Sequence, residues 1–268
     1  MKDKVVIITG GTSGIGKALA ETFGNAGAKI VITGRNPENL KEMEARLTSL
    51  GIDHLAVQAD VSLEEDNNRM VKETITKYGK LDVLINNAGI SMRALFEDLK
   101  LDVFRKVMNI NFYGTVYATK YCLPYILQTK GSIIGISSIV GYRGTPARTA
   151  YSASKYAMHG FFEVLRTEVM KRGVHVMIAC PNFTGSNIRK TALTADGTQQ
   201  GETPRAEEKM MTAEEVAQLI LKATIKRKRE LIITFQGKLV VFLNKWFPSM
   251  MDNIVYNHMK KEPNSPFK

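Results

Sequence analysis

A chain of 268 residues suffices for one large α/β domain or at most two small ones. Its hydrophobic fraction of 44% and charged fraction of 24% are ordinary for a globular protein, which excludes disordered and fibrous classes. The net charge of +11 raises nucleic acid, anionic lipid and anionic small molecules as partners, but +7 of it lies in residues 222–268 and is met in the tail.

Met1–Lys4 leads directly into Val5–Ile8, an apolar stretch too short for a signal-peptide core, so the expected location is cytoplasmic. Short β-branched runs then alternate with helical patterns. The predicted strands are Val5–Thr9, Lys29–Thr33, His54–Ala59, Leu81–Ile85, Ser132–Ile136, Val174–Ala179 and Leu231–Thr234. Between them lie helices over Gly16–Gly27, Pro37–Leu50, Leu63–Tyr78, Asp102–Thr129, Tyr151–Arg172 and Thr212–Ile225. Near-continuous apolar strands joined by helices predict an α/β fold: a doubly wound, Rossmann-type parallel sheet of seven strands with helices on both faces. A (β/α)₈ barrel would want an eighth strand. Cys122 and Cys180 have no CxxC spacing, so neither a disulfide framework nor a zinc site is expected.

The turn after the first strand reads Gly10, Gly11, Thr12, Ser13, Gly14, Ile15, Gly16 and opens a helix. Glycines allow close backbone approach, and the helix N-terminus offers unpaired N–H groups to a pyrophosphate. The second strand ends at Arg35 where NAD-preferring sites place a carboxylate, so the residue points to NADP rather than NAD, or is a solvated surface arginine. Asp60, with Val61 beside it, follows the third strand and is placed to accept from an adenine amine, or to act as a carboxylate at a helix start. Asn86, Asn87, Ala88 and Gly89 follow the fourth strand at the ligand-binding edge, where asparagines can tie loops together. Ser138 ends the fifth strand. Thirteen residues later, Tyr151 and Lys155 stand at i and i+4 on one helix face. A phenol beside an ammonium is expected to have a lowered pKa. His159, one turn on, is expected to pack or face solvent.

Two regions break the rhythm. Residues Thr184 to Met211 are polar and lack a long apolar period, which suggests a substrate-side insertion or lid within a domain spanning residues 1–236. Residues 237–268 form a basic helical extension. Leu239, Leu243, Trp246, Met250 and Ile254 recur at helical spacing, interrupted by Pro248 and flanked by Lys245, Lys260 and Lys261, with Lys226–Arg229 upstream. Such a face suits a helix lying in a membrane interface. It equally suits a cover over the site's mouth or a subunit interface, and both readings stand.

Together, Thr9–Gly16, Asn86–Gly89, Asn111, Ser138, Tyr151 and Lys155, in this order, resemble the short-chain dehydrogenase/reductase family. The resemblance covers the chain to about Ile233, and the tail and Thr194–Gly197 resemble a membrane-associated subgroup. It implies an NADP(H)-dependent interconversion of a carbonyl and a secondary alcohol, on a hydrophobic substrate resembling a lipid, sterol or retinoid. In that family's terms Tyr151 is the acid–base group, Lys155 holds the cofactor ribose, Ser138 polarises the carbonyl and Asn111 supports a proton relay. Pro181, Phe183 and Thr184 would contact the cofactor, although Asn182 stands where the family has glycine. The resemblance further implies a homodimer or homotetramer. A non-catalytic dinucleotide-sensing protein is the alternative, and intact Ser138, Tyr151 and Lys155 argue against it. Nucleic acid is not an expected partner, because no aromatic residues interleave with the basic ones.

Overall fold

The computed structural model describes residues 1–268 apart from 183, 186–187, 203–209, 263–264, 266 and 268. Seven parallel strands form one sheet in the order β3-β2-β1-β4-β5-β6-β7. They are β1 Val5–Ile8, β2 Lys29–Gly34, β3 His54–Gln58, β4 Val83–Asn86, β5 Ser132–Ile136, β6 His175–Cys180 and β7 Glu230–Ile232. The central strands are buried on both faces, which explains their unbroken apolar runs. Alternation along β1 divides the core. Val6 and Ile8 meet helices α1 (Gly14–Asn25), α2 (Pro37–Ser49) and α7 (Ala213–Ile225). Val5 and Ile7 face α3 (Glu64–Tyr78), α5 (Gly114–Thr129) and α6 (Thr149–Val169).

Local chemistry sets the helix starts. Asn36 caps α2 by accepting from the Asn39 N–H at 2.8 Å, and Pro37 occupies the first turn. At α7, Thr212 and Glu215 exchange hydrogen bonds in a capping box. The helix expected over Asp102–Thr129 is divided: α4 (Leu101–Met108) passes into a π-helical turn, Asn109–Tyr113, before α5. The extra residue in that turn shifts the helical register. Asn111 sits within it, fully buried.

The region 184–211 is less polar in effect than its composition suggested. Ala192 and Leu193 are buried, and Leu193 joins Met92, Leu99, Val103 and Val107 in a third apolar cluster. Arg93 N–H donates to Leu193 O at 2.8 Å, and Leu193 N–H donates to Ser91 O at 2.9 Å, so this segment is stitched to the loop after β4.

The C-terminal extension forms two helices divided at Pro248, α8 (Phe235–Trp246) and α9 (Pro248–Lys260). Leu243 is half-buried, and Phe235 and Phe242 take its place on the exposed stripe with Leu239 and Trp246. The basic run Lys226–Arg229 does not belong to this surface. It forms the turn entering β7, at the opposite edge of the sheet from the start of α8. Among the described residues no helix is long and apolar enough to cross a membrane.

Asp82, at the entry to β4, is almost wholly buried. It receives the Lys4 ammonium at 2.7 Å, the Lys80 ammonium at 3.4 Å and the Val5 N–H at 3.0 Å. Burial opposes its charge, but the Lys4 and Val5 hydrogen bonds and both lysine charges hold its pKa below the ordinary carboxylate value. A depressed folded-state pKa contributes stability above the unfolded value, about 3.9, and loses it as pH falls through the folded value. Asp82→Asn is therefore expected to lower stability by about 1–3 kcal/mol at neutral pH. Thermal unfolding should show that the difference narrows below pH of about 4.

Candidate active site

All strands run parallel, so their carboxyl ends share one edge, and the strand order reverses between β1 and β4. At that switch point lies a cleft of about 810 Å³, within the range of small-molecule sites. Its lining includes Gly10, Thr12, Ser13, Gly14, Ile15, Gly16, Arg35, Asp60, Val61, Asn87, Ala88, Gly89, Ser138, Tyr151, Lys155, Pro181 and Thr184. Asn111 lies behind this lining, and Phe183 falls outside the described residues.

The glycine turn is built for close approach. Gly10 has φ +64°, and a Cβ at Gly16 would fall 2.1 Å from Gly10 O. Ser13 precedes α1 in extended conformation without a side-chain cap, and the first turn of that helix carries no acidic residue. Its N–H groups and positive dipole end therefore open toward the cleft, as a pyrophosphate requires. Asn87 Nδ2 donates to Thr9 O at 2.9 Å and Gly10 O at 3.0 Å, holding the turn against the loop after β4.

Farther along the edge, Arg35 Nη1 lies 3.8 Å from Asp60 Oδ2, a long and half-exposed pair. Asp60 is engaged locally as well: its Oδ1 accepts from Ser62 N–H at 2.9 Å and Ser62 Oγ–H at 2.6 Å. The carboxylate expected to meet an adenine amine is thus largely occupied by a turn and by Arg35. Asn36 and Asn39, which the sequence reading passed over, line the cleft beside Arg35.

At the other end, the i, i+4 spacing brings Lys155 Nζ within 5.7 Å of the centre of the Tyr151 ring. The ammonium also donates to Ile136 O at 2.8 Å. Burial lifts the Tyr151 pKa above its ordinary value, opposed by the Ser138 hydrogen bond and the Arg148 and Arg189 charges. The expected lowering by Lys155 is corrected accordingly: desolvation outweighs the charges nearby. Burial also pushes Lys155 down to about 8. Asn111 Oδ1 accepts from Ile90 N–H at 2.8 Å, and its Nδ2 donates to Ile90 O at 2.9 Å and Ser154 Oγ at 3.0 Å. Gly89 fits between them, since a Cβ there would lie 3.2 Å from Asn111 Oδ1 and 3.7 Å from Lys155 Nζ.

The two arginines were not singled out from the sequence. Arg148 has a visible clue, three residues before Tyr151. It donates to Ser91 Oγ at 3.0 Å and Met92 O at 3.2 Å. Arg189 has none; it is buried and donates to Thr184 O at 2.9 Å. His159 packs beneath the site with Nε2 2.8 Å from Ser137 Oγ, its pKa pushed down to about 4, chiefly by burial.

Comparison with known proteins matches this arrangement to a family. The short chain dehydrogenase pattern matches residues 4–197. Dehydrogenase/reductase SDR family member 7B of Mus musculus is 37% identical over 99% of this chain and 84% of its own length. Dehydrogenase/reductase SDR family protein 7-like of Drosophila melanogaster is 33% identical over 92% of this chain and 78% of its own. Among solved structures, a dehydrogenase/reductase from Sinorhizobium meliloti 1021 superposes with TM-score 0.75 at 26% identity, covering 86% of this chain and 93% of that one. A short chain dehydrogenase/reductase from Burkholderia phymatum in complex with NAD superposes with TM-score 0.84 at 22% identity, over 93% and 95% of the two chains. With its motifs in place along one cleft, and its relatives matched over 92–99% of this chain, the chain belongs to the short chain dehydrogenase family of oxidoreductases.

Proposed function

We propose that this protein is an NADP(H)-dependent oxidoreductase that interconverts a carbonyl and a secondary alcohol on a hydrophobic substrate. The carrying observation is the single cleft that joins the glycine turn and α1 N-terminus to Ser138, Tyr151 and Lys155. The bound nicotinamide would supply or accept hydride. Gly10–Gly16 and the α1 N-terminus would hold its pyrophosphate, with Val61, Ala88, Gly89, Pro181 and Thr184 along its length. Tyr151 donates a proton to the carbonyl oxygen during reduction and accepts it in reverse. Its raised pKa keeps the phenol protonated at neutral pH, the form that reduction needs. Ser138 hydrogen-bonds the same oxygen, and Lys155 holds the ribose. Asn111, joined to Ile90 and Ser154 beside Lys155, supports the route by which the proton is replaced.

The NADP preference rests on Arg35. The end of β2 carries no carboxylate, and the Arg35–Asp60 contact at 3.8 Å is long enough for a 2′-phosphate to displace. A homodimer or homotetramer and peripheral contact with a membrane complete the reading, with residues 1–236 as the catalytic domain and 237–268 as its extension in a cytoplasmic protein.

Three measurements test it. Tyr151→Phe keeps the ring but removes the transferable proton, so NADPH-dependent ketone reduction should fall roughly 10²–10⁴-fold while cofactor binding persists. Arg35→Asp should move preference from NADPH toward NADH, the loss of about 1.5–3 kcal/mol appearing as roughly 10–150-fold in kcat/KM. Equal use of both cofactors by the unaltered enzyme would refute the assignment. The kcat/KM for reduction should decline as pH rises through about 8, where the buried Lys155 loses its charge. A flat profile far above that value would show that the ammonium is not required.

A further inference from the structure

The α8–α9 arm is fixed to the rim of the cleft through polar contacts to three successive loops. After β4, the Arg93 guanidinium meets the Glu262 carboxylate at 3.4 Å, both side chains buried. After β5, Arg143 pairs with Asp252 at 2.6 Å, and Asn244 Nδ2 donates to Tyr142 O at 2.9 Å. After β6, Asn182 Nδ2 donates at 3.1 Å to Thr234 Oγ, the same oxygen that caps α8 by accepting from Gly237 N–H at 3.0 Å. Asn182 thus joins the end of β6 to the cap of α8. Gly237, Met251 and Met259 are buried on the inner side of the arm.

Its outer side is the anomaly. An arm anchored in this way would ordinarily present polar residues to water. Instead Phe235, Leu239, Phe242, Trp246, Met250 and Ile254 are each between 44% and 80% exposed. The first four lie at i, i+4, i+7 and i+11, one continuous stripe of α8. Between Phe235 and Lys261 the charged residues are Lys238, Lys245, Lys260 and Lys261 against Asp252, which is paired with Arg143. Lys245 lies 5.7 Å from the Trp246 ring, so cation and indole occupy the same border. An apolar stripe carrying tryptophan and edged by lysines matches a bilayer interface with negative headgroups.

We propose that the outer face of α8–α9 docks on a bilayer containing anionic lipid and holds the mouth of the cleft against it. The partner deepens the reading of a hydrophobic carbonyl substrate and rests on it, because a lipid-dissolved ketone would reach Tyr151 without crossing water. The docking itself needs only the arm, and its test needs no turnover.

Trp246 is the sole tryptophan, so the intrinsic emission of the full chain reports this face alone. Vesicles of phosphatidylcholine mixed with phosphatidylglycerol should shift that emission to the blue, and brominated acyl chains should quench it. Phosphatidylcholine alone should have a much smaller effect. Added salt, or Lys238→Glu with Lys245→Glu, should weaken the response, by about fivefold in affinity per lysine removed. Phe242→Ser with Ile254→Ser, both on exposed positions, should abolish quenching while leaving the far-ultraviolet dichroism unchanged. No shift with anionic vesicles would overturn the proposal. So would a shift that follows protein concentration without lipid, which would make the face a contact between copies. Docking without ketone reduction would leave this inference standing and count against the reaction alone.

Discussion

Four hydrogen bonds between the ends of β1 and β4 hold the site open. The Thr9 hydroxyl accepts from Asn87 N–H and Ala88 N–H, while the Asn87 amide donates to Thr9 O and Gly10 O. These strands are paired neighbours whose connections leave to opposite sides, and the four bonds extend their register past Ile8 and Ile85 into the loops. The bonds bring Gly10 so close to Ala88 that a Cβ at Gly10 would lie 3.0 Å from Ala88 Cα. That contact fixes the angle at which the chain enters α1, and the helix N-terminus is thereby aimed into the cleft. A side chain at position 10 or 16 would push the turn away and misdirect the N–H groups, even if every other residue remained.

Much of this could be read in the sequence because the information was local. Buried parallel strands require apolar runs whatever surrounds them, and the glycine turn, Asn86–Gly89, Ser138, Tyr151 and Lys155 act through short spacings. What could not be read depends on distant atoms. Apolar periodicity continues through Asn109–Tyr113, so nothing local betrays the π-helical turn; Asn111 is held there by Ile90 and Ser154, more than twenty residues away on either side. The Tyr151 pKa depends on tertiary burial and two arginines, and adjacency to Lys155 suggested the opposite shift. Lys226–Arg229 and the tail are close in sequence but are separated by β7, which carries the chain from one edge of the sheet to the other.

The electrostatics of Tyr151 and Lys155 belong together. Burial disfavours the charged form of each, which means tyrosinate for one and ammonium for the other. A cleft that desolvates both keeps the phenol protonated while bringing the lysine within reach of its neutral form. The guanidinium charges of Arg148 and Arg189 join that of Lys155 at this end of the cleft, and both oppose the effect of burial on Tyr151. Arg148 is located by Ser91 and Met92, and Arg189 by Thr184, so the loop after β4 and the base of the 184–211 segment both bear on Tyr151.

Those loops are also the ones onto which the C-terminal arm is fastened. Leu193 is stitched to the loop carrying Ser91, Met92 and Arg93, and Arg93 reaches Glu262. Asn182 connects the end of β6 to the first turn of α8. The arm is therefore fastened to the loops at the strand ends beside the cleft. At the amino-terminal edge of the sheet, Asp82 secures Lys4 and Lys80. A parallel sheet permits this division: at one edge a buried carboxylate is held by two lysines, while the other gathers the glycine turn, the 184–211 segment and the arm at one rim.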